Sequence, residues 1–221
     1  MSPVSLRDIV IIGAGGFARE VAWLIQDINR ASPSWRFVGF IDASPESIGR
    51  QIGPFFVVGD DSFLERYSDE LWVVIGIGSP AAIERIRHRL EQRPNLRFPN
   101  LIHPSVMWDR ERTQLGVGNI ICAGNILTTD ITIGSFNILN LASTYGHDVV
   151  IGDNCVINPG VNLSGNVTVG NTCLVGTGAA VLEGLTIHDR ATVGAGAVVT
   201  RDVEAGVTVV GVPARPLARK E

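Results

Sequence analysis

Four histidines are the chain's candidates for moving a proton near neutral pH, because imidazole is the side chain whose ordinary pKa lies there. Three have plainer explanations. His88 stands among Arg85, Arg87 and Arg89 on a solvated helical face, His103 precedes Pro104 in a turn, and His188 follows Ile187 at a slot elsewhere filled by glycine. His147 differs, because Asp148 follows it directly in Tyr145-Gly146-His147-Asp148. A carboxylate beside an imidazole can orient the ring and favour the imidazolium formed when it takes a proton, which is the work of a general base.

A second group of residues suits a phosphate. Gly13-Ala14-Gly15-Gly16-Phe17-Ala18 follows the apolar run Ile9-Val10-Ile11-Ile12 and precedes a helical pattern through Val21, Leu24, Ile25 and Ile28. Glycines in a strand-to-helix turn let a diphosphate approach the backbone and the helix N-terminus. Asp42 closes the second strand, where a ribose-binding acid would lie, and Gly78-Ser79-Pro80 repeats the strand-to-helix turn further on, with Ser79 at the cap. About 100 residues hardly hold both halves of a dinucleotide fold, so the turn suits one nucleotide diphosphate better than NAD. An NAD-dependent enzyme remains an alternative that rests only on this turn and Asp42.

The elements that must position these residues fall into two kinds. Up to about residue 104, continuous apolar runs (strands over 35–42, 55–58 and 71–77) alternate with helical stretches over 19–29, 61–67 and 80–92, which predicts a small Rossmann-like parallel α/β sheet. Pro94, Pro99 and Pro104 punctuate the connector, whose residues 98–103 read as a last strand, and domains of 1–104 and 105–221 follow. From Leu115 to Val199 an aliphatic residue returns every six positions through fifteen hexads, with Tyr145 the one exception. That period belongs to a hexapeptide β-helix. Three hexads per triangular coil give about five coils of 18 residues, with Val209 to Ala214 as a cap or final strand.

The coil also acts as a ruler. Gly165 lies 18 residues after His147, one coil further on. Its missing side chain leaves room for a ligand, and its N–H could stabilise an oxyanion beside the imidazole. The spacing alone fits equally well a histidine that fills a corner over a glycine that turns the chain. Cys155 and Cys173 should stack in the same way, as reduced core filling.

A net charge of −4 gives no basic field for nucleic acid or anionic membrane. No apolar stretch is long enough for a transmembrane helix and the N-terminus lacks a signal-peptide pattern, so a cytoplasmic protein is expected. The stretch 113–200 carries six charged residues, a composition that suits a partner chain against part of its surface.

The glycine turn, the hexads, Gly146-His147-Asp148 and Val210-Gly211-Val212-Pro213-Ala214 together resemble the sugar acyltransferases of the left-handed β-helix superfamily. The branch is that of nucleotide-activated amino-sugar N-acetyltransferases and sialic acid O-acetyltransferases. The resemblance implies a left-handed coil, a homotrimer, acetyl-CoA as co-substrate between adjacent subunits, and no metal. It places the catalytic base on His147, its acidic partner on Asp148 and the oxyanion amide on Gly165. The acceptor's nucleotide would meet Gly13, Gly15, Gly16, Phe17, Asp42 and Ser79. Acetyl-CoA would meet Gly165, Gly176, Gly194, Gly211, Pro213, Ala214 and Arg215. Several members follow the second strand with further acidic or polar residues where this chain has Ala43-Ser44, so the resemblance leaves the base open.

The expected activity is transfer of acetyl to the amino group of a nucleotide-linked deoxyamino sugar, for surface polysaccharide or glycan synthesis. O-acetylation of sialic acid or another sugar hydroxyl would use the same residues. A non-catalytic β-helix scaffold is the alternative of another class.

Overall fold

The computed structural model describes residues 6–217. It opens with β1 (Arg7–Ile12), α1 (Gly16–Ala31), β2 (Trp35–Ile41), the hairpin of β3 (Gln51–Ile52) and β4 (Phe55–Gly59), α2 (Asp61–Arg66), β5 (Leu71–Ile75), α3 (Pro80–Leu90) and β6 (Leu96–Arg97). The strands form one sheet in the order β3-β4-β2-β1-β5-β6, parallel throughout except for the β3–β4 hairpin. α1 starts at Gly16 rather than three residues later, because Gly15 is its extended N-cap and the glycine turn itself forms the first helical turn. Ser79 is the N-cap of α3, yet its side chain makes no capping hydrogen bond, contrary to the sequence expectation.

Beyond β6 the chain winds into a triangular parallel β-helix. Each two-residue strand sends its first side chain out and its second in. One face carries Leu101–Ile102, Ile120–Ile121, Ile138–Leu139, Val156–Ile157, Leu174–Val175 and Thr192–Val193. The second runs from Met107–Trp108 to Val198–Val199, and the third from Gln114–Leu115 to Thr186–Ile187. A backbone bridge from Ile187 to Val203 closes a sixth coil. Of the strand expected over 98–103 only Leu101–Ile102 forms, and it pairs with Ile120–Ile121 in the β-helix, whereas the last strand of the α/β sheet is Leu96–Arg97, just before that span, on β5.

The first coil escaped the hexad count because it carries one extra residue. Leu127 pairs with Trp108, 19 positions back, whereas Ile133 pairs with Leu115, 18 back, so the extra residue lies in the corner 109–113.

From the second coil to the fifth, each corner turns through one left-handed residue, and these residues form columns. One column holds Asp130, Asp148, Asn166 and Gly184, at φ of 57°, 58°, 57° and 74°. Another holds glycines and Ala142, and the third includes Phe136, Asn154, Thr172 and Arg190. Asp, Asn and Gly tolerate this conformation at least cost, which accounts for the composition of the first column. The small residues at one corner have a polar task as well. Asn137 N–H donates to Asn119 Oδ1 (2.9 Å), Cys155 N–H to Asn137 Oδ1 (2.7 Å) and Cys173 N–H to Cys155 Sγ (3.4 Å), giving a ladder that ties successive coils.

The α/β domain packs on the first face. Leu101, Ile120, Ile138 and Val156 point outward from it, yet each is at most 2% exposed and shares a core with α1, α3 and the sheet. Arg87 of α3 donates to Asp153 (2.7 Å) and its guanidinium lies 4.9 Å from the Phe136 ring, while Arg190 forks onto Glu84. Leu139, fully buried inside the stack, shows what the interior contributes. Leu139→Ala is expected to cost about 2–5 kcal/mol through lost burial and a cavity, measured by denaturant unfolding. A cost below about 1 kcal/mol would mean that the coils collapse around the gap.

Candidate active site

His147 lies at the corner between the second and third faces, in the turn from Thr144–Tyr145 to Val150–Ile151. Its Nδ1 is 2.9 Å from Asp148 Oδ2, and both side chains are 54% exposed. With Nδ1–H donated to the carboxylate, Nε2 is left to take a proton. The next coil passes directly over this edge of the ring: a Cβ built on Gly165 would fall 2.5 Å from both Cε1 and Nε2 of His147. Among the described residues no acceptor is assigned to Gly165 N–H, whereas its neighbour Asn166 N–H donates to the His147 carbonyl at 2.8 Å. The Nε2 edge of the ring thus lies beside Gly165, whose backbone N–H has no acceptor among the described residues. Beneath them Tyr145 is fully buried in the aliphatic slot, its hydroxyl without a partner among the described residues, and burial pushes the phenol upward. It fills the interior and keeps its proton.

The glycine turn lies elsewhere. Gly13, Asp42 and the Gly76–Ser79 turn follow the C-terminal ends of three adjacent parallel strands, with Gly13 N–H on Ile41 O (2.7 Å) and Gly76 N–H on Ile12 O (2.8 Å). The chain leaves β1 toward β2 on one side and returns to β5 on the other, so this crevice is the topological switch point at which open α/β sheets bind ligands. Gly13, at φ 100°, packs so closely that a Cβ would meet Ile77 at 2.9 Å, and Gly15 faces open space. α1 has no acidic residue in its first turn to occupy its free amides. Asp42 Oδ1 accepts from Ser44 N–H at 2.9 Å, leaving Oδ2 for a ligand. Arg50 gave no sequence signal. It reaches back 36 residues from the β3–β4 hairpin to the Ala14 carbonyl at 3.3 Å, bringing a cation to the turn.

The positions expected to meet acetyl-CoA are spread along the second face. Gly165 is at one of its corners and Gly176 and Gly194 are at the other. Both of the latter are also required by stacking, since a Cβ would lie 2.5 Å from Ala195 N or 2.7 Å from Val210 Cγ1. Gly211 to Ala214 folds back on the same face, with Val198 N–H donating to Gly211 O (3.0 Å) and Ala214 N–H to Val198 O (2.8 Å). Ala214 and Arg215 line a cavity of about 300 Å³ at the end of the stack with Val199, Arg201, Val203 and Val209. Phe17 is part-buried at the start of α1.

A nucleotide-binding type of α/β domain joined to a hexad β-helix with an imidazole at one corner defines the hexapeptide acyltransferase class. The PglD N-terminal domain family matches residues 8–90. A mutant of perosamine N-acetyltransferase from Caulobacter crescentus, solved in complex with CoA and GDP-perosamine, is 30% identical over 97% of this chain and 99% of that one, with a TM-score of 0.85. WeeI from Acinetobacter baumannii AYE is 32% identical over 96% and 100% of the two chains, TM-score 0.85. The acetyltransferase domain of PglB from Neisseria gonorrhoeae FA1090, in complex with acetyl coenzyme A, is 28% identical over 96% and 100%, TM-score 0.86. The chain belongs to this family of left-handed β-helix sugar N-acetyltransferases. A redox-sensing transcriptional repressor of Thermotoga maritima is 35% identical over 86 residues, and the chain spans 40% of the length of that curated relative.

Two glycines at the site separate chemistry from folding. Gly165→Ala meets only the His147 ring, whereas a Cβ on Gly146 would lie 2.6 Å from Gly165 N, in backbone. Gly165→Ala is expected to displace the imidazole and abolish turnover with the melting temperature nearly unchanged. Gly146→Ala is expected to lower the melting temperature as well. Equal melting behaviour in the two would contradict the packing described.

Proposed function

We propose that the protein transfers acetyl from acetyl-CoA to the amino group of a nucleotide-linked deoxyamino sugar, in surface polysaccharide or glycan synthesis. The observation that carries this reading is the imidazole Nε2 held over Gly165 with Asp148 on Nδ1. The sugar amine attacks the thioester carbonyl, His147 takes the ammonium proton, and Gly165 N–H stabilises the oxyanion. Collapse expels the coenzyme thiolate, which takes the proton back from the imidazolium. Direct transfer is favoured over an acyl-enzyme: the three cysteines are free and buried, and burial, with Glu20 nearby, pushes the Cys122 thiol up to about 12.

The crevice at Gly13 belongs to the domain packed on the first face, while His147 is at the corner opposite that face. A nucleotide held at the turn therefore points away from the same chain's base. This supports a homotrimer in which one subunit holds the nucleotide and its neighbour supplies His147, with acetyl-CoA along the second face between them. The uncharged outward row of that face, Met107, Ile126, Thr144, Asn162, Ala180 and Val198, suits such a contact.

His147→Ala is expected to lower turnover by about 10²-fold or more, and near-normal turnover would rule out the assigned base. The shared site is tested separately. Gly15→Phe blocks the turn without meeting any atom within 4 Å at its Cβ, so the fold should tolerate it. Co-expressed His147→Ala and Gly15→Phe subunits, each inactive alone, should regain activity at roughly a quarter of their sites in a closed symmetric ring. No recovery in verified mixed trimers would place the whole site in one chain.

A further inference from the structure

We propose that Arg112 is a positioning residue for the His147–Asp148 pair, acting through Asp130. This rests on the reading of His147 as the general base.

Asp130 and Asp148 occupy the same left-handed slot in successive coils, at φ 57° and 58°, and the two turns are joined by Asp148 N–H on the Thr129 carbonyl at 3.2 Å. The register of Thr132–Ile133 on Val150–Ile151 holds them 18 residues apart, so their backbones stack at about the inter-strand spacing of ~4.8 Å. Two carboxylates at that spacing repel, and any negative charge left on Asp130 adds to that of Asp148 in holding a proton on the imidazole. The base would then be free only at higher pH.

Arg112 removes this second charge. Its Nε donates to Asp130 Oδ1 at 2.8 Å and its Nη2 lies 2.6 Å from Oδ2, a two-pronged pairing that turns the Asp130 carboxylate toward the first coil and leaves Asp148 to His147. The turn below holds the arginine in place. Asp109 Oδ1 accepts from the N–H groups of Glu111 and Arg112 (3.2 and 3.3 Å), and Asp109 Oδ2 accepts from Thr129 Oγ1 (3.0 Å). This is the corner that carries the extra residue.

The other charged groups at the same corner are Asp109, Arg110 and Glu111 in the first coil, Glu183 in the fifth and Arg201 and Asp202 in the sixth, and Ser164-Gly165-Asn166 directly above His147 carries none. Arg110 lies 5.5 Å from the Trp108 ring. Among the described residues Arg112 is the one arginine paired with an acid of this column, the other pair there being His147–Asp148 itself.

The test is a charge cycle of Arg112→Gln, Asp130→Asn and the double variant. One full charge a coil away from a solvent-exposed imidazole displaces its titration by roughly 0.3–0.5 of a pH unit. Arg112→Gln should therefore move the acid limb of kcat/KM upward by about that much, Asp130→Asn downward, and the double variant back to the wild-type position. The His147 ring titration is followed in parallel by NMR, its resonance assigned with His147→Ala. If Arg112→Gln moves neither the ring titration nor the acid limb, or the double variant fails to return, the proposal is overturned. If the ring titration shifts and the acid limb does not follow, the coupling through Asp130 stands and His147 is not the base.

Discussion

Everything in the β-helix depends on the hydrogen bonds between successive coils. They run between residues 17 positions apart along the strands, as in Gly146 N–H to Leu163 O and Val150 N–H to Val167 O, so that residues 18 apart stack and sequence distance becomes spatial order. A single coil buries almost nothing by itself, and the interior row from Ile121 to Val199 becomes a core only when the register holds throughout. The same register decides which residues share a corner. His147 meets Gly165, Asp148 meets Asp130, and Cys155 meets Cys173 for one reason, and none of these pairs required local sequence complementarity.

The second constraint is the docking of the α/β domain. A parallel sheet with helices on both sides has little spare apolar surface, yet α1 and α3 cover the outward aliphatics of one β-helix face so fully that the two units share a hydrophobic cluster. Ion pairs from α3 to the adjoining corner, Arg87 to Asp153 and Glu84 to Arg190, fix the orientation. Such a junction holds the glycine crevice rigidly relative to the stack and on its far side from His147. That separation within one chain is the ground on which the proposed shared site rests.

Much of this was legible in the sequence because it is periodic or local. Fifteen hexads, aliphatic at every position but Tyr145, announce the stack, and an apolar run followed by glycines and helical spacing announces β1 and α1. The first coil was hidden, since one extra residue in 109–113 breaks the phase although the backbone still pairs. The side-chain reach of Arg50 to Ala14 and the grip of Arg112 on Asp130 were hidden too, for flexible arginines leave no spacing to read. At the corner, composition is ambiguous for a physical reason: Asp130 and Asn166 occupy the slot of Asp148, so the turn conformation alone explains an acid there, and only the 2.9 Å contact with His147 distinguishes it.

The three-sided coil also sets rules for how such a chain can change length. Adding a whole turn lengthens the prism and leaves every corner facing as before. Adding one hexad ahead of His147 would keep each aliphatic residue in an inward slot, and the core would hardly register the change. Yet it would rotate the imidazole by a third of a revolution, onto another edge relative to the α/β domain. In this architecture an insertion can be silent for folding and ruinous for catalysis, so lineages built on it should tolerate growth in steps of 18 residues and purge steps of six.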